Sequence, residues 1–599
     1  MDGFAAAGPV LGIARSATGR RWVWRTGDAR MGLAIAQRLD LPEVVGQLLT
    51  ARGVGLEAAT DFLEPTLRAL LPDPAVLRDM DQAAERLAEA VRRGETVAVF
   101  GDYDVDGACS GALMVRVLRQ LGCSVSHYVP DRLKEGYGPN AAAIRTLCDN
   151  GATLVVCVDC GIAAHAALEA ARGRADVVVL DHHKAEGPVP SVTAVVNPNR
   201  LDCGSGLRHL CAAAVAFLTA VALHRALRRS GFFARREEPR LLELLDLVAL
   251  ATVCDVMPLT GVNRALVAQG LKVMARRGRA GIAALLEVGQ VRDAPTAHSL
   301  GFVLGPRINA AGRIDEPDLG LRLLLCDDPI EARAMAERLD AVNRRRQEVE
   351  GEVLGAALAA AEAQAAAGHP VLMVCGEGWH PGVVGIVAGR IKERFNRPAC
   401  VAGVAAGVAK GSGRSVPGLD LGAAVIAARQ CGLLEAGGGH AMAAGFTFAA
   451  ARREVVHRFL DERLAHAAEL PGAADLPVEG MIAVPGATLE LAQQVERLAP
   501  FGAGNEEPVF ALPRARIVRA DRVGKEGQTI RAFLEGEGGG RLKAICFRAK
   551  DGPLAELLLR SGGAPLHLCG RLRAERWNDN STPCLHVVDA APVGAMPSP

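Results

Sequence analysis

The chain has 599 residues, half of them hydrophobic and less than a quarter charged, so it is globular, with core enough for about four domains. A net charge of +1 excludes a protein that is basic over its whole surface, so any polyanion has to be held by local patches. No basic-then-apolar leader follows Met1, and the longest uncharged apolar run, residues 210–223, is too short to span a bilayer, so a cytoplasmic protein with no membrane segment is expected.

Residues 1–80 read as an N-terminal extension that opens with Trp22 and Trp24 and continues in helical patterns broken by Pro42, Pro65, Pro72 and Pro74. A helix over 81–93 leads into the Val-rich run 96–100, whose length suits a strand of a buried parallel sheet. Three carboxylates follow it at alternate positions, Asp102, Asp104 and Asp106, and a helix is expected over 110–121. Further strands are predicted at 125–129, 153–158, 177–180 and 194–196, with a polar loop at 130–138. This alternation argues for a mostly parallel sheet. The run 153–158 ends in Asp159, the run 177–180 in Asp181-His182-His183, and the run 194–196 in Asn197-Pro198. Acids delivered three times at the same end of a strand predict convergence at the carboxyl edge of one sheet, where open α/β sheets bind ligands.

A buried helix over 241–252 ends near Asp255, and residues 301–315 mix small residues with Arg307 and Arg313. From 328 to about 364 runs one long helical pattern that would reach roughly 55 Å at 1.5 Å per residue, read as a connector between two lobes. The second lobe begins near Pro370, with a strand at 371–375, Trp379-His380 and a helix at 383–394. Lys-Gly-Ser-Gly-Arg-Ser at 410–415 and the Gly-rich loop Gly-Gly-Gly-His at 437–440 together form a candidate phosphate site. Five strands at 515–522, 529–534, 541–547, 566–574 and 584–588, with a helix at 554–559 between the third and fourth, fit a small OB-type barrel. Residues 592–599 read as a loose tail.

Clustered anions repel one another, and that cost is rarely accepted without a cation. Asp104, Asp106, Asp159, His182 and Asp255 make a set of hard oxygens plus imidazole, which suits two Mn²⁺ or Mg²⁺ ions better than a structural zinc, with Asp159 as the bridging candidate. Two such ions clamp the attacking and leaving oxygens of a phosphoryl displacement. His183 is placed to assist at the phosphate, with Asp181 orienting a histidine. Arg132, Arg307, Arg313 and Arg414 lie in Gly- or Pro-containing stretches read as loops, and suit bidentate phosphate contacts. Two of only three tyrosines, Tyr103 and Tyr137, sit in the motif loops, where they could stack on a base. The lone Cys157/Cys160 pair reads as ordinary buried thiols, in a reducing setting.

Gly-Asp-Tyr-Asp-Val-Asp-Gly at 101–107, Val-Asp-Cys-Gly at 158–161, Asp-His-His at 181–183 and Ala-Thr-Val-Cys-Asp-Val-Met-Pro-Leu at 251–259 resemble the motifs of the DHH phosphoesterase family. Gly-Gly-Gly-His at 437–440 resembles the signature of its associated DHHA1 domain. Pro-Arg-Ile-Asn-Ala-Ala-Gly-Arg at 306–313, Trp-His-Pro-Gly-Val-Val-Gly-Ile-Val-Ala at 379–388, and Pro-Phe-Gly-Ala-Gly-Asn at 500–505 extend the likeness to the family's single-strand-specific exonucleases. The resemblance implies an α/β fold: a parallel-sheet DHH domain at 81–326 joined by a long helix, 327–369, to a smaller α/β DHHA1 domain, 370–507, and an OB-type barrel at 508–599, after the extension 1–80.

It further implies a 5′→3′ exonuclease on single-stranded DNA, dependent on Mn²⁺ or Mg²⁺, serving recombination and repair. Asp104, Asp106, Asp159, His182 and Asp255 would bind the metals, with Asp102 as a ligand or just behind one, and Asp104, Asp159 and His183 would carry the chemistry. Arg132, Tyr137, Arg307, Arg313, Ser412, Arg414, Gly438, Gly439 and His440 would hold the strand. A monomer is implied, with a single-strand-binding protein and a RecQ-type helicase as candidate partners. The alternatives are a DHH hydrolase of short oligonucleotides or cyclic dinucleotides, and a non-catalytic DNA-binding scaffold. One departure stands out: where the family carries Leu-Ala-Gly-Val-Gly, this chain has Leu210-Cys211-Ala212-Ala213-Ala214, which puts close helix packing there in question.

Overall fold

A computed structural model describes residues 8–132, 134–185, 187–470, 473–524, 527–549, 551–577 and 580–594. Leu133 in the polar loop and the tail from 595 onward lie outside the described residues, and the part of that tail at Pro592 ends a strand. The first strand, β1 (Trp22–Trp24), precedes two helices, α1 (Ala29–Leu39) and α2 (Glu43–Ala51). Contacts divide the chain into two compact units, one of Met1–Ala59, Arg346–Leu498 and Glu507–Pro599, the other of Thr60–Arg345 and Ala499–Glu506.

The Thr60–Arg345 unit is built on β2 (Thr96–Gly101), β3 (Ser124–Tyr128), β4 (Leu154–Val158), β5 (Asp176–Leu180) and β6 (Ala194–Val196), all parallel, in the order β3-β2-β4-β5-β6. Val97 and Val99 of β2 face one apolar core, and Ala98 and Phe100 face another. Both faces are therefore covered, which is why these strands read as unbroken hydrophobic runs. The register sets Gly101 opposite Val158, Val158 opposite Leu180 and Leu180 opposite Val196, so Asp102, Asp159, Asp181 and Asn197 leave the sheet in one row.

Helix α3 (Val105–Gln120) starts earlier than its apolar pattern, because the Asp104 side chain accepts from Gly107 N–H and caps it. Asp106 thus lies in the first helical turn, not in a loop. Buried α4 (Ala212–Arg229) and α5 (Leu245–Cys254) follow, and Asp255 is the C-cap of α5. Residues 301–315 are not a loop: a short π-helical turn runs into α6 (Gly305–Ile314), which carries both Arg307 and Arg313. Pro306 stands at its start, where a missing N–H costs nothing, and the small residues let it pack closely. The long pattern is one helix, α7 (Pro329–Ala366), and the boundary between the units falls inside it.

In the other unit, β7 (Leu372–Glu377), α8 (Pro381–Phe395), β8 (Ala399–Ala405), β9 (Val408–Arg414), α9 (Leu421–Gln430), β10 (Ala436–His440) and β11 (Ala443–Ala449) form a mixed sheet of order β10-β11-β9-β8-β7. Both glycine-rich stretches read as loops are strands: 410–414 lies in β9, and 437–440 in β10 at the sheet's edge. Glycine makes the packing possible here. A Cβ on Gly411 would stand 2.4 Å from the Phe446 ring, and one on Gly376 would stand 2.0 Å from Trp379.

Short strands β12 (Leu476–Val478) and β13 (Gly480–Met481) lead to β14 (Phe510–Val523), β15 (Thr529–Gly536), β16 (Gly539–Cys546), α10 (Pro553–Arg560), β17 (Pro565–Trp577) and β18 (Asn580–Pro592). Pairing runs β14-β15-β16-β18-β17 and back to β14, closing the five-stranded barrel read from the sequence. The N-terminal segment is part of this unit. Strand β1 pairs in parallel with β12, and buried Trp22 donates from Nε1 to Asp589 Oδ2 on β18 at 2.9 Å. Arg52, just past α2, forms a buried ion pair with Glu479. Cys157 and Cys160 are buried free thiols, and no described helix is long and apolar enough to cross a membrane.

Candidate metal centre

Asp102, Asp104, Asp106, Asp159, Asp255, His182 and His183 meet past the carboxyl ends of β2, β4 and β5. His182 Nε2 stands 3.3 Å from Asp159 Oδ1, 3.5 Å from Asp255 Oδ2 and 3.7 Å from Asp106 Oδ2. One oxygen each of Asp102, Asp104 and Asp159 lie within 4.8 Å of one another. Buried Asp102 Oδ1, Asp159 Oδ1 and Asp255 Oδ2 accept no hydrogen bond from any described residue. Burial and then neighbouring acids push Asp102 up to about 8, burial with Asp106 and Asp104 pushes Asp255 up to about 8, and Asp106 and Asp159 are raised the same way. Such an arrangement works against its own electrostatics unless a cation enters. Buried carboxylate oxygens that accept no hydrogen bond, around an imidazole and with no thiolate among the groups, fit Mn²⁺ or Mg²⁺.

The two histidines are held apart in role. Fully buried Asp181 accepts from the N–H groups of Ile162, His182 and His183, and its Oδ1 stands 2.8 Å from His183 Nδ1. Burial acts to lower the His183 pKa, but the Asp181 hydrogen bond and charge outweigh it and hold this imidazole up at about 9. His182 turns instead into the acids. Asn197, read only as the end of a strand, and Asn199, not singled out in the sequence, fix the backbone of this pair: Asn199 Nδ2 donates to His182 O at 2.6 Å, and Asn197 Nδ2 to His183 O at 2.9 Å. Their signal was the Asn-Pro-Asn stretch directly after β6.

Two strained positions adjoin the cluster. Asp159 has φ +59° and Val256, beside Asp255, has φ +58°, both left-handed, and the second is an exposed β-branched residue. Tyr137 donates from its hydroxyl to Asp159 O at 3.0 Å, clamping the first of these, while about half of its surface stays open and its ring edge meets His183. Arg132 lies over the Tyr103 ring at 5.3 Å. Helix α6 buttresses the acidic loop from behind: Asn309 Oδ1 accepts from Val105 N–H, and a Cβ on Gly312 would stand 2.5 Å from Tyr103 O. Arg307 does not reach the acids. It pairs with Asp340 at 2.9 Å and donates to Val303 O.

The second predicted group is assembled in the other unit. Ser412 and Arg414 share a face of β9, with Arg414 Nη1 donating to Ser412 Oγ at 2.8 Å. Gly385 of α8 leaves room for them, since a Cβ there would lie 3.1 Å from Arg414 Nη2 and Ser412 Oγ. In β10, a Cβ on Gly438 would meet nothing within 4 Å, whereas one on Gly439 would stand 2.3 Å from Ala443 O.

Residues 96–252 match the DHH family, N-terminal domain, residues 368–466 the DHHA1 domain and residues 478–589 the RecJ OB domain. The single-stranded-DNA-specific exonuclease RecJ of Dickeya dadantii is 41% identical over 84% of this chain and 88% of its own length. The protein of the same name from Escherichia coli is 39% identical over 84% and 88%. Among solved structures, RecJ of Thermus thermophilus in complex with Mn²⁺ superposes with a TM-score of 0.77 at 31% identity, covering 94% of this chain and 78% of that one. The same protein in complex with Mg²⁺ gives 0.73 at 30%, covering 94% and 77%. On the acids of its parallel sheet, its three matched domains and these relatives, the chain belongs to the RecJ branch of the DHH family.

Proposed function

We propose that this protein is a single-strand-specific exonuclease that hydrolyses DNA phosphodiester bonds in the 5′→3′ direction, in recombination and repair. The observation that carries the reading is the set of buried carboxylate oxygens around His182 that accept no hydrogen bond, in a chain whose relatives are named single-stranded-DNA-specific exonucleases. Asp104, Asp106, Asp159, His182 and Asp255 would hold two divalent cations, with Asp102 a ligand or just behind one. When bound, the cations supply Lewis-acid stabilisation of the attacking and leaving oxygens and bring the pKa of a water toward neutrality.

His183, oriented by Asp181, donates to the scissile phosphate. The open ring of Tyr137 and the Arg132–Tyr103 pair give the terminal nucleotide a stacking surface. Arg313 follows Gly312, which abuts Tyr103, on α6, and Arg307 takes part only by exchanging its Asp340 partner for a phosphate. In the other unit Ser412, Arg414, Gly438, Gly439 and His440 bind backbone phosphates, and the barrel binds the single strand. The division of labour is catalysis in 81–326, a connector in 327–369, phosphate binding in 370–507 and strand binding in 508–599, with 1–80 as an added segment. A monomer that meets a single-strand-binding protein and a RecQ-type helicase rests on the family resemblance.

The test is digestion of 5′- and 3′-labelled single-stranded DNA by metal-stripped protein, with Mn²⁺ or Mg²⁺ restored and a duplex and a dinucleotide alongside. Early mononucleotide release from the 5′ end of the single strand, lost in Asp159→Ala, is expected. Binding without metal-dependent cleavage would sink the reading, as would cleavage confined to the dinucleotide.

A further inference from the structure

One acid of the cluster is held unlike the others. Asp106 is 1% exposed, and both of its oxygens accept from main chain: Oδ2 from Ala212 N–H at 2.6 Å and Oδ1 from Ala213 N–H at 2.8 Å. These are the first two residues of α4, an 18-residue helix packed against α3. Asp102, Asp159 and Asp255 each keep a buried oxygen that no described residue satisfies.

The first N–H groups of a helix have no partner within it and carry the positive end of its dipole. Here two of them take a carboxylate side-on, as a bidentate pair of short, charge-assisted bonds. That fixes the plane of the Asp106 carboxylate and leaves a second lone pair on each oxygen, with Oδ2 3.7 Å from His182 Nε2. The local sequence suits this. Cys211, Ala212, Ala213 and Ala214 are all fully buried, so the helix end comes close to α3 because no large side chain stands in the way. Alanine where glycine was expected costs nothing at this contact, since the donors are backbone groups that either residue supplies.

We propose that the first turn of α4 is the positioning element for Asp106: the N–H groups of Ala212 and Ala213, rather than any side chain, set the orientation in which this acid meets a divalent cation. The inference rests on the reading of the cluster as a metal centre. A ligand fixed in advance binds more tightly because its ordering is not charged to the binding step.

The test removes one N–H and nothing else. Placing L-lactic acid at position 212 of the full chain turns the Ala212 amide into an ester of nearly the same shape. Ala212→Pro removes the same donor genetically. Proline is tolerated at the first helical position, and Cys211, at φ −81° and ψ 168°, already has the extended backbone that a following proline demands. The ester carries the test where the buried proline ring does not fit. Ala212→Gly is the control that keeps the N–H and removes the methyl.

Mn²⁺ binding to metal-stripped protein without DNA is measured by electron paramagnetic resonance of the free ion, with circular dichroism as the check on folding. The ester is expected to weaken at least one Mn²⁺ site about tenfold, Ala212→Gly to leave it unchanged, and Asp106→Asn to weaken that site with no further loss when combined with the ester. An ester protein that binds Mn²⁺ like the unmodified one overturns the proposal. So does an Ala212→Gly loss as large as the ester's, which would make the methyl, not the N–H, responsible. Unmodified protein that binds no Mn²⁺ sinks the metal reading itself, before any variant is compared.

Discussion

The two five-stranded sheets treat charge in opposite ways. At the carboxyl edge of β2, β4 and β5, acids are buried against one another, three of them keep an oxygen unsatisfied by any described residue, and Asp159 has a left-handed backbone. On β9 and β10, by contrast, Arg414 is tied to Ser412 and the glycines serve the close approach of Phe446 and of neighbouring strands. The first region stores unfavourable energy that a ligand of opposite charge releases, and the second is satisfied before any ligand arrives. Catalytic sites are expected at the first kind of place, and recognition surfaces at the second.

Substitutions at the two sheets should therefore behave differently, and five measurements sharpen or break the contrast. Asp159→Ala should lower metal-dependent cleavage by at least about a thousandfold. Asp159→Asn should at the same time raise the melting temperature of metal-free protein, because a buried, repelled carboxylate is gone. A variant that is both inactive and less stable would remove the stored strain from the account. His183→Gln should cut kcat by about a hundredfold or more while Mn²⁺ binding persists; loss of binding would make this residue a ligand instead. Arg414→Lys, which keeps the charge and loses the fork, should raise KM for single-stranded DNA about tenfold with kcat nearly intact and no gain in stability.

The last effect is on the metal-free protein alone. Asp102 and Asp255 are held up at about 8 in the folded chain, against about 3.9 for an aspartate in an unfolded one. Between those values the folded state holds protons that the unfolded state has released, so these groups cost stability as pH rises through the window, until it levels off above about 8. The melting temperature of metal-free protein should fall from about pH 5 to about pH 8, and Asp255→Asn should shrink the fall. Saturating Mn²⁺ should flatten it, since cations replace the protons. A metal-free curve as flat as the loaded one would erase the contrast between the sheets.

What could be read from the sequence was whatever is encoded locally. Asp102, Asp159 and Asp181-His182-His183 each follow a run of β-branched residues, so strand and acid are named together, and the register then does the rest. The barrel was legible because its strands alternate and its turns are marked. Strand β10 was not, because Ala-Gly-Gly-Gly-His has no strand propensity, and pairing with β11 makes it one. Helix α6 was masked by Gly305, Pro306 and Gly312, small residues that serve packing against Cys254 and Tyr103 while they weaken the local helix signal. The α4 amides reach the Asp106 carboxylate across more than 100 residues, and no spacing rule reports that.

The strand β1 gives the molecule a timetable. Trp22 reaches its hydrogen-bond partner Asp589 across 567 residues, whereas β2 to β6 lie within one continuous stretch. At about 5–20 residues per second on the ribosome, that partner emerges roughly half a minute to two minutes after the tryptophan does. The parallel sheet has everything it needs long before then. Trp22, destined for full burial, thus waits for Asp589 long after β2 to β6 have emerged.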